Sequence, residues 1–135
     1  MIGLVLNKLY ENETLIYELQ NTNSYIFYAD ISKPMINNEL PLLPINEVFG
    51  FKGTLVSTDL YTTNIIRKTI NRKIFYVQDM EWVKHEDFFE NRVDLYTDPA
   101  IVYIAASDEI SRGLSAWGTK SQVIKPIEFK KILNV

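Results

Sequence analysis

Two uninterrupted apolar runs constrain the fold of this chain most strongly. Ile-Phe-Tyr-Val occupies residues 74–77 and Ala-Ile-Val-Tyr-Ile-Ala-Ala occupies residues 100–106. A short run of branched and aromatic residues without polar alternation is typical of a strand covered on both faces, as central parallel strands are. Parallel strands are joined by crossover connections, usually helices. The two runs therefore favour a parallel sheet, and the segments between them should be helical.

The rest of the chain follows that alternation. Predicted strands cover residues 2–6, 24–29, 53–57, 73–79, 100–106 and 122–125. Predicted helices run to about residue 20, over 60–70 and 86–95, between Ser107 and Gly118, and over 127–135 as a short helix or tail. We predict one α/β domain over residues 1–135, a three-layer, Rossmann-like, doubly wound sheet of five or six mainly parallel strands.

Side-chain spacing predicts which residues are capped or buried. Thr58-Asp59 and Ser107 precede apolar helical patterns and should cap their helices, and Gly118 should end the second of these. Almost full burial is predicted for four strand residues, Ile74, Tyr76, Val102 and Ile104. Helix spacing predicts two apolar faces, one of Tyr61, Ile65, Ile66 and Ile70 and one of Ile110, Leu114 and Trp117.

Composition narrows the classes of function. The net charge of −3 leaves no basic footprint for nucleic acid, and the local patch of Arg67, Lys68, Arg72 and Lys73 is better explained as a solvated helix end. With no cysteine and one histidine, His85, we expect no metal site, and His85 itself should be solvated. No apolar run reaches the roughly 20 residues of a membrane span. We predict a soluble cytoplasmic protein, and the many Asn, Ile, Lys and Tyr residues suggest a phage protein in its host.

Several enzyme classes lack their motifs here. Residues 7–14, after the first strand, contain no glycine, so no dinucleotide cofactor is expected. Asn7-Lys8 stands where a phospho-receiver domain needs an acidic pair. The chain also lacks the G-x-S-x-G elbow of serine hydrolases and the glycine-lysine loop of phosphate-binding NTPases.

Polar residues that follow the predicted strands form the candidate ligand site. Ligands of open α/β sheets bind at the carboxyl ends of the strands. Asn7, Asp59 and Ser107 have helix capping as their structural alternative. Asp79 and Glu81 are the best candidates for a general base, against a simple turn, and Trp82 is a stacking platform or a core residue. The full set of ligand-binding candidates is Asn7, Asp30, Asp59, Gln78, Asp79, Glu81, Trp82 and Ser107.

Residues 100–125, AIVYIAASDEISRGLSAWGTKSQVIK, resemble a recurring piece of retaining glycosyltransferases of the two-domain GT-B type. In that piece a strand ends in a serine, a helix with an acidic start follows, and a glycine precedes a short strand. Residues 53–59 and 74–82 resemble two earlier strands of the same domain, the second as seen in phage-borne members. The resemblance implies an N-terminal, acceptor-side domain. The family's usual glycine-rich turn after the first strand is missing.

The resemblance also implies a division of labour. In that family the second domain carries most nucleotide-sugar contacts, and this sequence ends where that domain would begin. We therefore expect acceptor or partner binding without independent catalysis; a relic, a subunit and a part of a longer chain remain alternatives. A non-enzymatic viral interaction or structural module is the alternative function. The expected partner is a second copy or a separate sugar-nucleotide-binding subunit, held through the edge and the apolar residues of the segment 40–51; the alternative is that this segment folds back over its own sheet.

Overall fold

The computed structural model describes residues 1–30, 37–79 and 89–135, with side chains from residue 93 onward in the last range. These residues form one sheet in which every neighbouring pair of strands is parallel. The strands are β1 (Ile2–Lys8), β2 (Ser24–Asp30), β3 (Leu42–Pro44), β4 (Thr54–Ser57), β5 (Lys73–Val77), β6 (Ile101–Ala105) and β7 (Ser121–Val123). The helices are α1 (Glu13–Glu18), α2 (Leu60–Ile66), α3 (Phe89–Tyr96) and α4 (Asp108–Ser115), with 3-10 segments at Leu9–Glu11, Ile45–Gly50 and Pro126–Asn134.

The strand order β3-β2-β1-β4-β5-β6-β7 makes the sheet doubly wound. The chain builds outward from β1 to β3, returns to the other side of β1, and builds outward again from β4 to β7. This order confirms the predicted Rossmann-like α/β fold, whose first six strands follow the same order in dinucleotide-binding domains. The described residues contain seven strands, and the sequence predicted five or six. The seventh is the short edge strand β3, inside the segment 40–51, which contains Pro41 and Pro44.

Apolar side chains cover both faces of the sheet. Residues of one strand alternate between the faces, so adjacent residues contact different elements. Tyr76 contacts Phe129 of the C-terminal 3-10 segment, with ring centres 4.8 Å apart, whereas Phe75 stacks on Tyr96 of α3 at 5.6 Å. A second cluster joins strands β1, β2 and β4 to the segment Ile45–Gly50 and to α2, through Val5, Phe27, Val48, Leu55 and Ile66.

A glycine is required at position 3 because the second cluster packs closely against β1 there. A Cβ atom built at Gly3 would lie 2.7 Å from the ring of Phe27 and 2.9 Å from the ring of Phe51. The two rings meet edge to face, with centres 5.2 Å apart. The missing side chain of Gly3 therefore makes room for an aromatic pair directly on β1.

The predicted apolar face of the second helix is wrong for Tyr61 and Ile70. Helix α2 ends at Ile66, so Ile70 lies beyond it and is fully exposed, and Tyr61 is half exposed. The buried side of α2 instead consists of Thr62, Thr63 and Ile66. Its threonines face the sheet because their hydroxyls bond to the end of β4 and to the backbone that follows it.

Burial was also overestimated at Val102 and Trp117. Ile74, Tyr76 and Ile104 are completely buried, as predicted, but Val102 is 38% exposed. Its strand β6 has only the three-residue β7 beyond it, and the C-terminal 3-10 segment packs mainly on α1 and Tyr76. Trp117 is 39% exposed because α4 ends at Ser115 and the chain then turns through Gly118 at a φ of 81°.

The apolar segment 40–51 folds back over its own sheet. Leu40 and Val48 are buried, Leu42 pairs in β3, and Phe49 is the large hydrophobic side chain of the segment that is exposed, at 58%. The segment also contacts β2, where the amide of Ile26 donates to the carbonyl of Pro41 at 2.9 Å. The expectation that this segment offers an apolar docking surface is therefore wrong for most of its residues.

Candidate functional site

The predicted polar residues that the structure describes lie at one edge of the sheet. Because all strands are parallel, their carboxyl ends share this edge. Asp30 ends β2, Asn7 is the next-to-last residue of β1, Asp59 follows β4, Gln78 and Asp79 follow β5, and Ser107 follows β6. The predicted residues Glu81, Trp82 and His85 lie outside the described residues.

Two of the three expected capping roles are present. Oδ1 of Asp59 accepts from the backbone N–H of Thr62 at 2.8 Å, and the Thr62 hydroxyl completes a capping box. The hydroxyl of Ser107 accepts from the backbone N–H of Ile110 at 3.3 Å. Capping by Asn7 is wrong, because Asn7 lies inside β1 and the N-cap position of α1 belongs to Asn12. Capping therefore accounts for Ser107 and for one carboxylate oxygen of Asp59.

Buried hydroxyls tie the end of β4 to its neighbours. The Thr58 hydroxyl donates to the carbonyl of Val5 in β1 at 3.1 Å. The hydroxyls of Ser57 and Thr63 lie 2.7 Å apart, and the Thr58 N–H donates to the Thr62 hydroxyl at 3.1 Å. These four side chains are buried and hydrogen-bonded, so the end of β4 forms a rigid floor where the strand order reverses.

A pair of side-chain amides crosses above this floor. Nδ2 of Asn12 donates to the carbonyl of Lys8 at 3.1 Å, and Oδ1 of Asn12 accepts from Nε2 of Gln78 at 3.2 Å. Asn12 follows β1 and Gln78 follows β5, with β4 between those strands, so the pair bridges the end of β4. Asn12 was not among the predicted ligand-binding residues. No local pattern relates two residues that are 66 positions apart.

The charges around this amide bridge are mixed and predominantly acidic. Lys8 ends β1 and lies 3.8 Å from Glu11, and the sheet register places Asp30 beside Lys8. Asp59 and Asp79 follow the next strands of the edge. Among the described residues of this edge, Lys8 is thus outnumbered by carboxylates. Such an arrangement disfavours a phosphate and suits a neutral, hydrogen-bonding ligand.

The predicted basic patch is engaged in structural contacts. Arg67 bonds Asp94 at 2.6 Å and lies 3.2 Å from Asp98, which links α2 to the end of α3. The hydrogen bond to Asp94 raises the pKa of the Arg67 guanidinium. Lys73 donates to the backbone carbonyl of Asn71 at 2.9 Å. Both cations therefore have intramolecular acceptors, which supports a structural role for these two residues of the patch.

Two surface depressions lie at the opposite, amino-terminal end of the strands. One of about 290 Å³ is bordered by Tyr25, Phe51 and Lys52, and one of about 230 Å³ by Asn21 and Glu39. Both are open to solvent. Ligands of open α/β sheets bind at the carboxyl ends of the strands, so neither depression lies at the expected ligand site.

The fold and the edge define a Rossmann-like α/β domain with a hydrogen-bonded amide pair at its topological switch point, where doubly wound sheets have their ligand crevice. No family model, no curated protein and no solved structure matches the chain. None of the helices in the described ranges has the length and apolar character needed to cross a bilayer.

Proposed function

We propose that this chain is a glycosyltransferase-like, acceptor-side domain that binds a polyhydroxylated acceptor at the crevice above β4 and is not catalytic by itself. The observation that carries the proposal is the amide bridge of Asn12 and Gln78 over the hydroxyl-locked end of β4. The bridge lies where ligands bind in doubly wound sheets. Neutral amides that both donate and accept suit sugar hydroxyls, and the acidic surroundings disfavour a phosphate as the main ligand.

The assignment to a class of enzyme rests on the resemblance of residues 53–125 to the acceptor-side domain of GT-B glycosyltransferases. A fold of this kind hosts many functions, so the resemblance supplies the reaction class and the crevice supplies the ligand chemistry. In the family, most contacts to the nucleotide sugar come from the second domain. The 135 residues alone should therefore bind an acceptor without transferring a sugar to it.

Nuclear magnetic resonance of the labelled protein tests both parts of the proposal. Titration with methyl glycosides should shift backbone signals that follow β1, β4 and β5, and leave those near Tyr25 and Phe51 unchanged. Incubation with uridine diphosphate glucose and the best glycoside should give neither hydrolysis nor transfer. Gln122, exposed on the edge strand β7, offers a control, because Gln122→Ala should leave every shift in place.

Two results would contradict the proposal. Turnover of the nucleotide sugar by pure protein, abolished by a substitution at the crevice, would show an independent enzyme. Absence of shifts with every glycoside tested would favour the alternative, a non-enzymatic interaction module on the same scaffold. In that case, mass measurement of the protein in solution would show whether it forms a homodimer.

A further inference from the structure

The hydrogen bonds of Asn12 determine which amide atoms at the switch point donate and which accept. The carbonyl of Lys8 can only accept, so the Asn12 atom that contacts it must be the donor Nδ2. Oδ1 is then the Asn12 atom that remains for Gln78. Because Oδ1 only accepts, Gln78 must turn its Nε2 toward Asn12, as observed at 3.2 Å. One backbone carbonyl thus sets the orientation of two successive amides.

This chain of contacts leaves one acceptor for a ligand. With Nε2 of Gln78 held by Asn12, the Oε1 atom is directed to the other side of the same amide group. Within the described ranges, no hydrogen bond engages Oε1, and Gln78 is only half buried. An oxygen of this kind accepts and cannot donate. The complementary ligand group is a hydrogen-bond donor.

We propose that Gln78 binds the acceptor through Oε1, which receives a hydrogen bond from a ligand hydroxyl, and that Asn12 is a positioning residue that holds Gln78 in this orientation. The proposal rests on the function proposed above and deepens it, because it names the atom that reads a sugar hydroxyl. It predicts that the site rejects a ligand in which that hydroxyl is replaced by a group that only accepts. Without Asn12 the Gln78 amide can rotate and present either end, so the preference should disappear.

Fluorinated glycosides provide the probe. Fluorine replaces a hydroxyl with little change in size but cannot donate a hydrogen bond. The affinity of methyl glucoside is compared with that of each monofluorinated derivative in the wild type, in Asn12→Leu and in Asn12→Asp. Leucine has nearly the same size but no polar atom, whereas aspartate keeps an acceptor for Nε2 of Gln78. Gln122→Ala is the control for an amide outside the crevice.

In the wild type, the derivative fluorinated at one particular position should bind about five- to tenfold more weakly than methyl glucoside. This ratio of affinities is what the loss of one net hydrogen bond predicts. That ratio should fall to about one in Asn12→Leu and stay near the wild-type value in Asn12→Asp and Gln122→Ala. The melting temperature of each variant shows whether it is folded. A structural role of Asn12 alone would lower the melting temperature without changing the ratio.

A measurement without ligand separates this inference from the function on which it rests. In the wild type, one side-chain Nε2 proton of Gln78 should exchange slowly with water, and in Asn12→Leu both should exchange fast. If the wild type binds glycosides and Asn12→Leu shows the same affinity ratio between methyl glucoside and its fluorinated derivative, the role of Asn12 is overturned. The proposed function then stays intact. Failure to bind any glycoside, with the slow Nε2 proton present, would overturn the proposed function and the ligand assigned to Gln78.

Discussion

Replacing Tyr76 with phenylalanine removes one buried hydroxyl and little else. Tyr76 is fully buried, and its hydroxyl donates to the backbone carbonyl of Ile124 at 2.6 Å. The variant retains the edge-to-face contact with Phe129. It loses one net hydrogen bond and leaves a buried carbonyl without its donor, so the free energy of unfolding near neutral pH should fall by about 1–2 kcal/mol.

The same substitution should change how stability depends on pH. Burial, and to a smaller extent the Glu128 carboxylate, raises the pKa of Tyr76 well above the ordinary value of 10.0. The unfolded chain therefore ionises Tyr76 near its ordinary pKa while the folded protein keeps the proton. This stabilisation is fully present below about pH 10 and is lost, by about 1.4 kcal/mol per pH unit, as the pH rises toward the folded pKa. The phenylalanine variant lacks this loss.

Urea denaturation of both proteins, from neutral pH to about pH 11, measures the two effects together. The variant should be less stable at neutral pH, and the difference should close about one unit above pH 10. Other tyrosines titrate equally in both proteins and cancel. Tyr17, 74% exposed, provides the control, since Tyr17→Phe removes only an exposed hydroxyl and should leave the stability unchanged. A difference that does not vary with pH would refute burial of an ionisable hydroxyl as its cause.

Two further pairs of variants test the packing, and one single variant tests a helix cap. Gly3→Ala should lower the stability by about 1–3 kcal/mol through the clash with the two aromatic rings, whereas Gly50→Ala should be nearly neutral because no atom lies within 4 Å of the new Cβ. Equal urea midpoints would show that the rings move aside. Ile104→Ala should cost about 2–5 kcal/mol and Val102→Ala less than about 1 kcal/mol, and a reversed order would show that this face of β6 is covered at its start and not at its end. Asp59→Ala should cost about 0.5–2 kcal/mol through the lost cap, and no change in thermal unfolding would mean that another group satisfies the helix end.

Local chemistry alone determined much of the fold. Apolar runs identified β5 and β6, because a strand covered on both faces must be apolar at successive positions. The caps Asp59 and Ser107 were identified for a similar reason, since a side-chain oxygen that satisfies the first N–H groups of a helix comes from a residue directly before it. Strand and helix alternation then left a parallel, doubly wound sheet as the consistent arrangement. These inferences depend on residues close together in the sequence.

The tertiary structure decided which faces are covered and which side chains meet. Val102 lies in an apolar run that is typical of a buried strand. Its exposure nevertheless depends on how far the C-terminal segment reaches across the sheet, which the residues of β6 do not determine. The pairing of Asn12 with Gln78 depends on the strand order, which places β4 between the ends of β1 and β5. The amide bridge joins residues far apart in the chain, so its partners and its polarity exist only once the sheet has formed.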